Sequence, residues 1–257
     1  MIADKGSKPA LVIIVPCYNE EEVIPETAEK LFRKISLLVS AGLISEKSTV
    51  LFVDDGSQDN TWNFIEKYHS DNPLVFNGLK IPENSGQQNA ILCGLLAVRD
   101  YADITISIDA DLQDDIDVIG KMIESYLSGA EIVLGVRSSR EGDGLLKRIT
   151  AFIFYRLIRL LGGSIIENHG DFRLMGRKAL DALTALTAEA EYNKKNLFLH
   201  GMINRLRCRT AIVYYSRKKR LAGKSKYSLQ KMLAQAFEGI KETLPWRKYN
   251  RNAGESK

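Results

Sequence analysis

Apolar runs long enough to cross a bilayer are missing from these 257 residues. A spanning helix needs roughly 20 apolar residues. The nearest approach, residues 151–161, is short and carries Arg156 and Arg159. Contact with a membrane is therefore expected at its surface. The first nine residues hold no apolar segment of the kind a signal peptide uses, and none is expected. Cysteines are few, odd in number and scattered (Cys17, Cys93, Cys208), without a Cys-x-x-Cys pair. They read as reduced thiols on the cytosolic side. The three histidines (His69, His169, His200) lack metal-ligand spacing, so zinc is not expected. No Gly-x-Gly-x-x-Gly follows the first apolar stretch and no Gly-x-x-x-x-Gly-Lys occurs. Dinucleotide oxidoreductases and P-loop nucleotidases are set aside on that ground. Internal repeats and low-complexity tracts are also absent.

What remains is an ordinary globular composition, 45% hydrophobic and 26% charged, enough for one large α/β domain or two small ones. Charge is unevenly spread. Residues 217–257 hold 12 Lys and Arg against 3 Glu, a net of +9, and the remainder holds 24 against 29, a net of −5. A basic end on an acidic body points to an anionic partner: a phosphate group, an anionic membrane surface or nucleic acid. The basic end is poor in aromatics and matches no nucleic-acid module, so nucleic acid is not expected.

Residues 11–15 form a continuous apolar, β-branched run, the pattern of a strand buried on both faces. It ends in Pro16-Cys-Tyr-Asn-Glu20, and a helical pattern follows from about 21 to 40. A strand at 50–53 ends in Asp54-Asp-Gly-Ser57, where Ser57 and Asp59 suit the cap of a helix running to Tyr68. A third apolar segment at 78–81 ends in Asn84-Ser-Gly-Gln-Gln88, and a helix with an Ile91/Leu92/Leu95/Leu96 face comes next. A strand from 104, a helix over about 117–127 and a fifth strand at 131–136 ending in Arg137 complete the alternation. This order predicts a largely parallel sheet with helices on both faces and a ligand crevice beyond the carboxyl ends of the strands. Four polar clusters lie at that edge. The second half predicts helices at 145–161, after 176 and at about 192–205, with strands at 172–175 and 211–215. A basic loop at 217–227 and an amphipathic stretch at 228–241 follow, and the end is expected to fray.

The strand from 104 runs into Asp109-Ala-Asp-Leu-Gln-Asp-Asp115. Side chains two apart on a strand point the same way, so Asp109 and Asp111 are expected to leave the sheet together and attract a divalent cation. Oxygen ligands suit Mg²⁺ or Mn²⁺, and Gln113 could add a third oxygen. The alternative is an acidic turn in which Asp114 or Asp117 caps the next helix.

Taken in order, these clusters resemble the family-2 glycosyltransferases, and within them the polyprenyl-phosphate type similar to dolichol-phosphate mannose synthase and bactoprenol glucosyl transferase. The carrying residues are Pro16–Glu20, Asp54-Asp-Gly-Ser-Gln-Asp-Asn-Thr61, Asn84-Ser-Gly-Gln87, Asp109–Asp114, Asp171-Phe-Arg-Leu-Met175 and Arg217-x-x-Arg220-x-Ala-Gly-x-Ser-Lys-Tyr227. The resemblance implies a GT-A fold and one catalytic domain over 9–242, between a flexible start at 1–8 and a basic tail at 243–257. Within it, 9–115 would be the nucleotide-sugar half, 116–216 the acceptor half and 217–242 an acceptor loop with its helix. Pro16, Tyr18, Glu20, Asp54, Asp55, Gly86, Gln87 and Asp109 would bind the nucleotide-sugar. Asp109, Asp111 and Gln113 would hold Mg²⁺ or Mn²⁺, with Asp109, Asp111 and Arg137 as the catalytic set.

The acceptor can be argued from residue types. A hydroxyl needs a general base to attack the anomeric carbon. A phosphate, with a second pKa of about 6, is already an anion at neutral pH and needs cations instead. Arg137 and Arg148 suit that clamp and match the family's phosphate-binding arginines, with Ser225 and Lys226 on the mobile side. The bland reading of Arg148 and Arg159 is a solvated helix face. A Gln-x-x-Arg-Trp motif, common in processive and hydroxyl-directed relatives, is absent. The expectation is therefore one inverting transfer from a UDP- or GDP-sugar to a polyprenyl phosphate, for cell-envelope glycan synthesis at the cytosolic membrane face. Transfer to a glycan hydroxyl is the alternative, and a non-catalytic nucleotide-sugar-binding module a third reading. Sugar, base and any homo-oligomer stay open. Many relatives continue past the Ser-Lys-Tyr segment into transmembrane helices, so this chain is either monotopic or truncated; helices at 145–161 and 228–241 are interfacial candidates.

Overall fold

A computed structural model describes residues 8–138, 169–189 and 199–217. The expected helices at 145–161 and 228–241, the loop at 217–227 beyond its first residue, and Arg148, Ser225 and Lys226 lie outside the described residues. So does the first part of the helix expected at 192–205.

In chain order the elements are β1 (Leu11–Cys17), α1 (Ile24–Ser40), β2 (Thr49–Asp55), α2 (Thr61–Asp71), β3 (Phe76–Ile81), α3 (Gln87–Val98) and β4 (Ile104–Ser107). A 3₁₀ turn (Ile116–Val118), α4 (Ile119–Leu127), β5 (Ile132–Arg137), β6 (His169–Gly176), α5 (Arg177–Glu189), α6 (Leu199–Arg205) and β7 (Thr210–Tyr215) follow. The strands make one seven-stranded sheet in the order β3-β2-β1-β4-β6-β5-β7.

β1 is buried along its whole length because both sheet faces are covered. Leu11, Ile13 and Val15 face a core with Ala28, Leu31 and Ile35 of α1 and Met122 and Ile123 of α4. Val12 and Ile14 face a second core with Ile91 and Leu95 of α3 and Leu180 and Leu183 of α5. The period-2 alternation of one strand thus divides the hydrophobic material between two layers. Helix α3 packs tightly on the sheet at Gly94, where a Cβ would lie 2.7 Å from the Ile14 Cγ2. The face expected for α3 holds except at Leu96, which is exposed.

The sheet is largely parallel, as expected; β6 is the exception and runs antiparallel to both β4 and β5. Register is set by pairing with strands distant in sequence, so the apolar run at 172–175 carried no sign of direction. Reversal matters for position: the first residues of β6 lie at the edge where β1, β2, β4 and β5 end. β1 and β4 are neighbours while the chain runs from β1 to β2, so the sheet order switches there, which is where α/β sheets open a crevice.

Candidate active site

The loops beyond β1 and β2 are sewn together. Asn19, at φ 51°, donates its N–H to Ser57 Oγ (2.9 Å) and accepts from the Gln58 N–H (2.8 Å). Glu20 donates its N–H to Thr61 Oγ1 (2.7 Å), and Glu21 Oε2 accepts from the Asn60 backbone (3.0 Å) and side-chain amide (2.9 Å). These bonds tie the loop after β1 to the loop after β2; in the strands that lead into them Pro16 pairs with Val53 and Cys17 with Asp54. Asp54 is fully buried; Oδ1 accepts from the Ser57 N–H at 3.2 Å, and Oδ2 has no hydrogen-bond partner.

Asp55 shapes the next loop. Its Oδ1 accepts from the N–H and hydroxyl of Ser85 and its Oδ2 from the Gly86 N–H, each at 2.8 Å. Gly86, at φ 93°, caps α3 and leaves Gln87 as its first residue. Helix α2 starts after Asn60 without a side-chain cap bond from it; of the two caps expected there, Asp59 accepts from the Thr61 N–H (3.0 Å) and Ser57 serves Asn19 instead.

The acidic pair is placed by a turn, and the strand argument for it fails. β4 stops at Ser107, Leu112 returns its N–H to the Asp109 carbonyl (3.2 Å), and Leu112 adopts φ 44°. A left-handed leucine is costly, and here it is buried against the core that holds the turn. The cap that the alternative reading gave to Asp114 or Asp117 falls to another residue: Asp115 accepts from the Asp117 N–H (3.2 Å), a 3₁₀ turn precedes α4, and Asp114 is buried.

The Gln87 side-chain amide donates at 2.8 Å to Asp109 Oδ1 and at 2.8 Å to Asp171 Oδ2. Burial, then the charges of Asp114, Asp171 and Asp111, push the Asp109 carboxyl up to about 8, with Arg137 opposing. Asp171 opens the apolar part of β6 and is held from behind: Arg173 Nη2 donates to its Oδ1 at 2.6 Å, and His200 Nε2 stands 3.5 Å from the same oxygen. Arg173 is fully buried, with Nε and Nη1 lacking hydrogen-bond partners. Burial pulls its pKa down and Asp171 opposes the drop. Arg137, last residue of β5, donates through Nε to Tyr215 Oη (3.3 Å) and lies 3.5 Å from Asp114 Oδ1.

Among the described residues, no three carboxylates, imidazoles or thiols converge into a complete metal shell. Asp109, Asp111 and Gln113 nevertheless offer oxygen donors, and the charges of Asp114, Asp171 and Asp111 add to burial in raising the Asp109 carboxyl. That fits a hard divalent cation held by one or two carboxylates, its other positions filled by water and substrate phosphate.

The profile described as "Glycosyl transferase family 2" matches residues 12–184. The chain belongs to glycosyltransferase family 2. Among its relatives is the uncharacterized glycosyltransferase YkoT of Bacillus subtilis (strain 168), 48% identical over 92% of this chain and 68% of that protein. The prophage bactoprenol glucosyl transferase homolog of Escherichia coli (strain K12) is 38% identical over 89% and 70%. The chain thus spans about two thirds of the length of these relatives. In structure it resembles the glucosyl-3-phosphoglycerate synthase of Mycobacterium tuberculosis, solved with Mn²⁺, UDP and glucosyl-3-phosphoglycerate (TM-score 0.61, 18% identity, 93% of this chain and 80% of that one). The fold is that of a GT-A glycosyltransferase, as the motifs implied, and the chain is a glycosyltransferase.

Of the residues expected in a family-2 site, the fold brings Pro16, Tyr18, Glu20, Asp54, Asp55, Gly86, Gln87, Asp109, Asp111, Gln113 and Arg137 to one sheet edge. Asp171, Arg173, His200, Asp114 and Tyr215 join them without having been singled out. Asp171 and Arg173 stood in a quoted motif with no role attached, Asp114 read as a cap, and Tyr215 as the end of a strand. For Asp171 the available signals are its place in the Asp171–Met175 motif and its position as an acidic residue opening an apolar strand.

Proposed function

We propose that this glycosyltransferase moves one sugar from a UDP- or GDP-sugar to a polyprenyl phosphate, with inversion, at a membrane surface. The observation that carries the reading is Arg137, a cation held at the end of β5 within Coulombic reach of Asp109. Donor chemistry and a cationic site for an anionic acceptor thereby share one rim. The 38% identical proteins named as bactoprenol glucosyl transferases support the acceptor class. No described helix is long and apolar enough to cross a membrane.

Asp54 and the loop sewn to it would receive the nucleotide. Asp109, Asp111 and Gln113 would hold Mg²⁺ or Mn²⁺, which supplies charge neutralisation to the departing diphosphate. Gln87 keeps Asp109 and Asp171 aimed in the absence of substrate. Arg137 would draw the acceptor phosphate, already ionised, toward the anomeric carbon. A hydroxyl acceptor would ask a carboxylate to take its proton. Asp171, at the same edge, accepts from Arg173 with one oxygen and from Gln87 with the other.

A panel of UDP-glucose, other UDP-sugars and GDP-mannose, with Mg²⁺ or Mn²⁺ and a short polyprenyl phosphate, should yield an acid-labile lipid-linked monosaccharide with one of the donors. Product only on a glycan hydroxyl would overturn the reading. Arg137→Ala should raise the acceptor KM about 10- to 100-fold, the worth of a lost charge-assisted hydrogen bond. An effect confined to donor KM would contradict the role given to it. Mn²⁺ should raise the melting temperature by more at pH 8 than at pH 6, because a proton on Asp109 competes with the ion up to about 8. Equal shifts at both pH values would argue against Asp109 as a ligand.

A further inference from the structure

Arg137 does not stand alone. β5 and β7 are parallel neighbours, and the register sets Arg137 opposite Tyr215. The Tyr215 ring meets Phe172 edge-on, with centroids 5.4 Å apart and planes at 87°. Phe172 in turn fills the space beside Gly135, where a Cβ would lie 2.7 Å from the Phe172 Cδ1. The tyrosine hydroxyl is thus fixed. It donates to Asp114 Oδ1 at 2.5 Å and accepts from Arg137 Nε at 3.3 Å.

The same Asp114 oxygen lies 3.5 Å from Arg137 Nη2 and 4.0 Å from Nε of Arg217, two residues past β7. Asp114 is 1% exposed, and its second oxygen has no hydrogen-bond partner. A buried, half-satisfied carboxylate is expensive to keep. Two guanidinium groups brought to one rim would repel each other without an anion beneath them. Burial disfavours the charge on Arg137, and the Asp114 carboxylate foremost, with Asp109 behind it, holds the guanidinium pKa above its usual value all the same.

We propose that Tyr215 and Asp114 are positioning residues for the acceptor. They touch no substrate, and they hold Arg137 and gather Arg217 beside it, so that a phosphate monoester finds its cations already in place. Arg217 becomes the second phosphate-facing cation among the described residues. This rests on the reading of Arg137 as the acceptor contact. Pre-placed cations spare the acceptor the entropy of gathering two long side chains.

The test is steady-state kinetics of the full chain with a fixed nucleotide-sugar and varied short polyprenyl phosphate, then the reverse. Tyr215→Phe should raise the acceptor KM roughly tenfold, since small misplacements near the chemistry cost one to two orders of magnitude, with donor KM unchanged. Asp114→Asn keeps the shape and an acceptor for the tyrosine hydroxyl but loses the charge, and should raise the acceptor KM likewise. Thermal melts report whether either variant is folded; because Asn is isosteric, it covers the case where the phenylalanine variant is not. A purely structural hydrogen bond would lower the melting temperature and leave both KM values in place, which overturns the proposal. If Arg137→Ala raises the acceptor KM but neither variant does, the bracing is wrong. If Arg137→Ala itself leaves the acceptor KM unchanged, the acceptor reading fails first and the brace loses its purpose with it.

Discussion

Asp109→Asn should abolish glycosyl transfer while raising the melting temperature of the metal-free protein at pH 8. Loss of a charge that organises the departing group costs about a thousandfold. The stability gain has a separate origin. The Asp109 carboxyl is pushed from 3.8 to about 8 by burial and by Asp114, Asp171 and Asp111. Between those values the folded protein holds a proton that the unfolded chain has released, so stability falls as pH climbs from about 4 to about 8. An asparagine side chain has no such proton to lose. The advantage of the variant is therefore small near pH 4 and fullest at and above pH 8. Each kcal/mol recovered is worth roughly 2–4 °C in a chain of this size. Gln87 can still donate to the amide oxygen of the substituted side chain, so the local geometry survives. Melting curves across that range, with transfer assayed in parallel, check both halves. A variant less stable than the wild type at pH 8 would show that the acidic rim carries no electrostatic cost.

Gly56→Ala should produce the second large effect. Gly56 lies at φ +70°, and a Cβ there would stand 2.8 Å from the Asn84 nitrogen and 2.9 Å from the Glu83 carbonyl carbon. Both are backbone atoms, so no side chain can swing away. Left-handed strain of about 1–2 kcal/mol and the clash together put the loss near 2–4 kcal/mol, about 4–16 °C in melting temperature. The clash also parts Asp55 from the Ser85 and Gly86 groups it clamps, so Gln87 loses its aim and donor affinity should fall. Gly86→Ala is the comparison: its φ is +93° but the space around it is open, so it should cost only the strain. Equal effects of the two substitutions would mean the contact with residues 83–84 is unimportant.

Much of this was legible from local patterns. A five-residue apolar run at 11–15 announced a strand buried on both faces, and β1 is one. The polar clusters after β1, β2, β3 and β4 were placed at the crevice because the carboxyl ends of parallel strands share an edge. Legibility stopped where long-range partners decide. Nothing near residues 172–175 tells which way β6 runs, and direction is what brings Asp171 to Gln87 and Asp109. The strand rule does not reach Asp109 and Asp111, because β4 ends at Ser107, two residues short of the first, and a left-handed Leu112 re-aims the chain. Asp114 and Asp115 are chemically alike; only the tertiary fold assigns one to the helix cap and buries the other beneath two arginines.

The reversed strand has a consequence for assembly. Four strands, β3-β2-β1-β4, are available once residue 107 has been made. The free edge of β4 must wait for residues 169–176, more than sixty positions later, to be closed. Contacts across such separations are slow to form. On the ribosome, the open flank of β4 is until then where a stalled or cleaved chain would be prone to pair with a stranger.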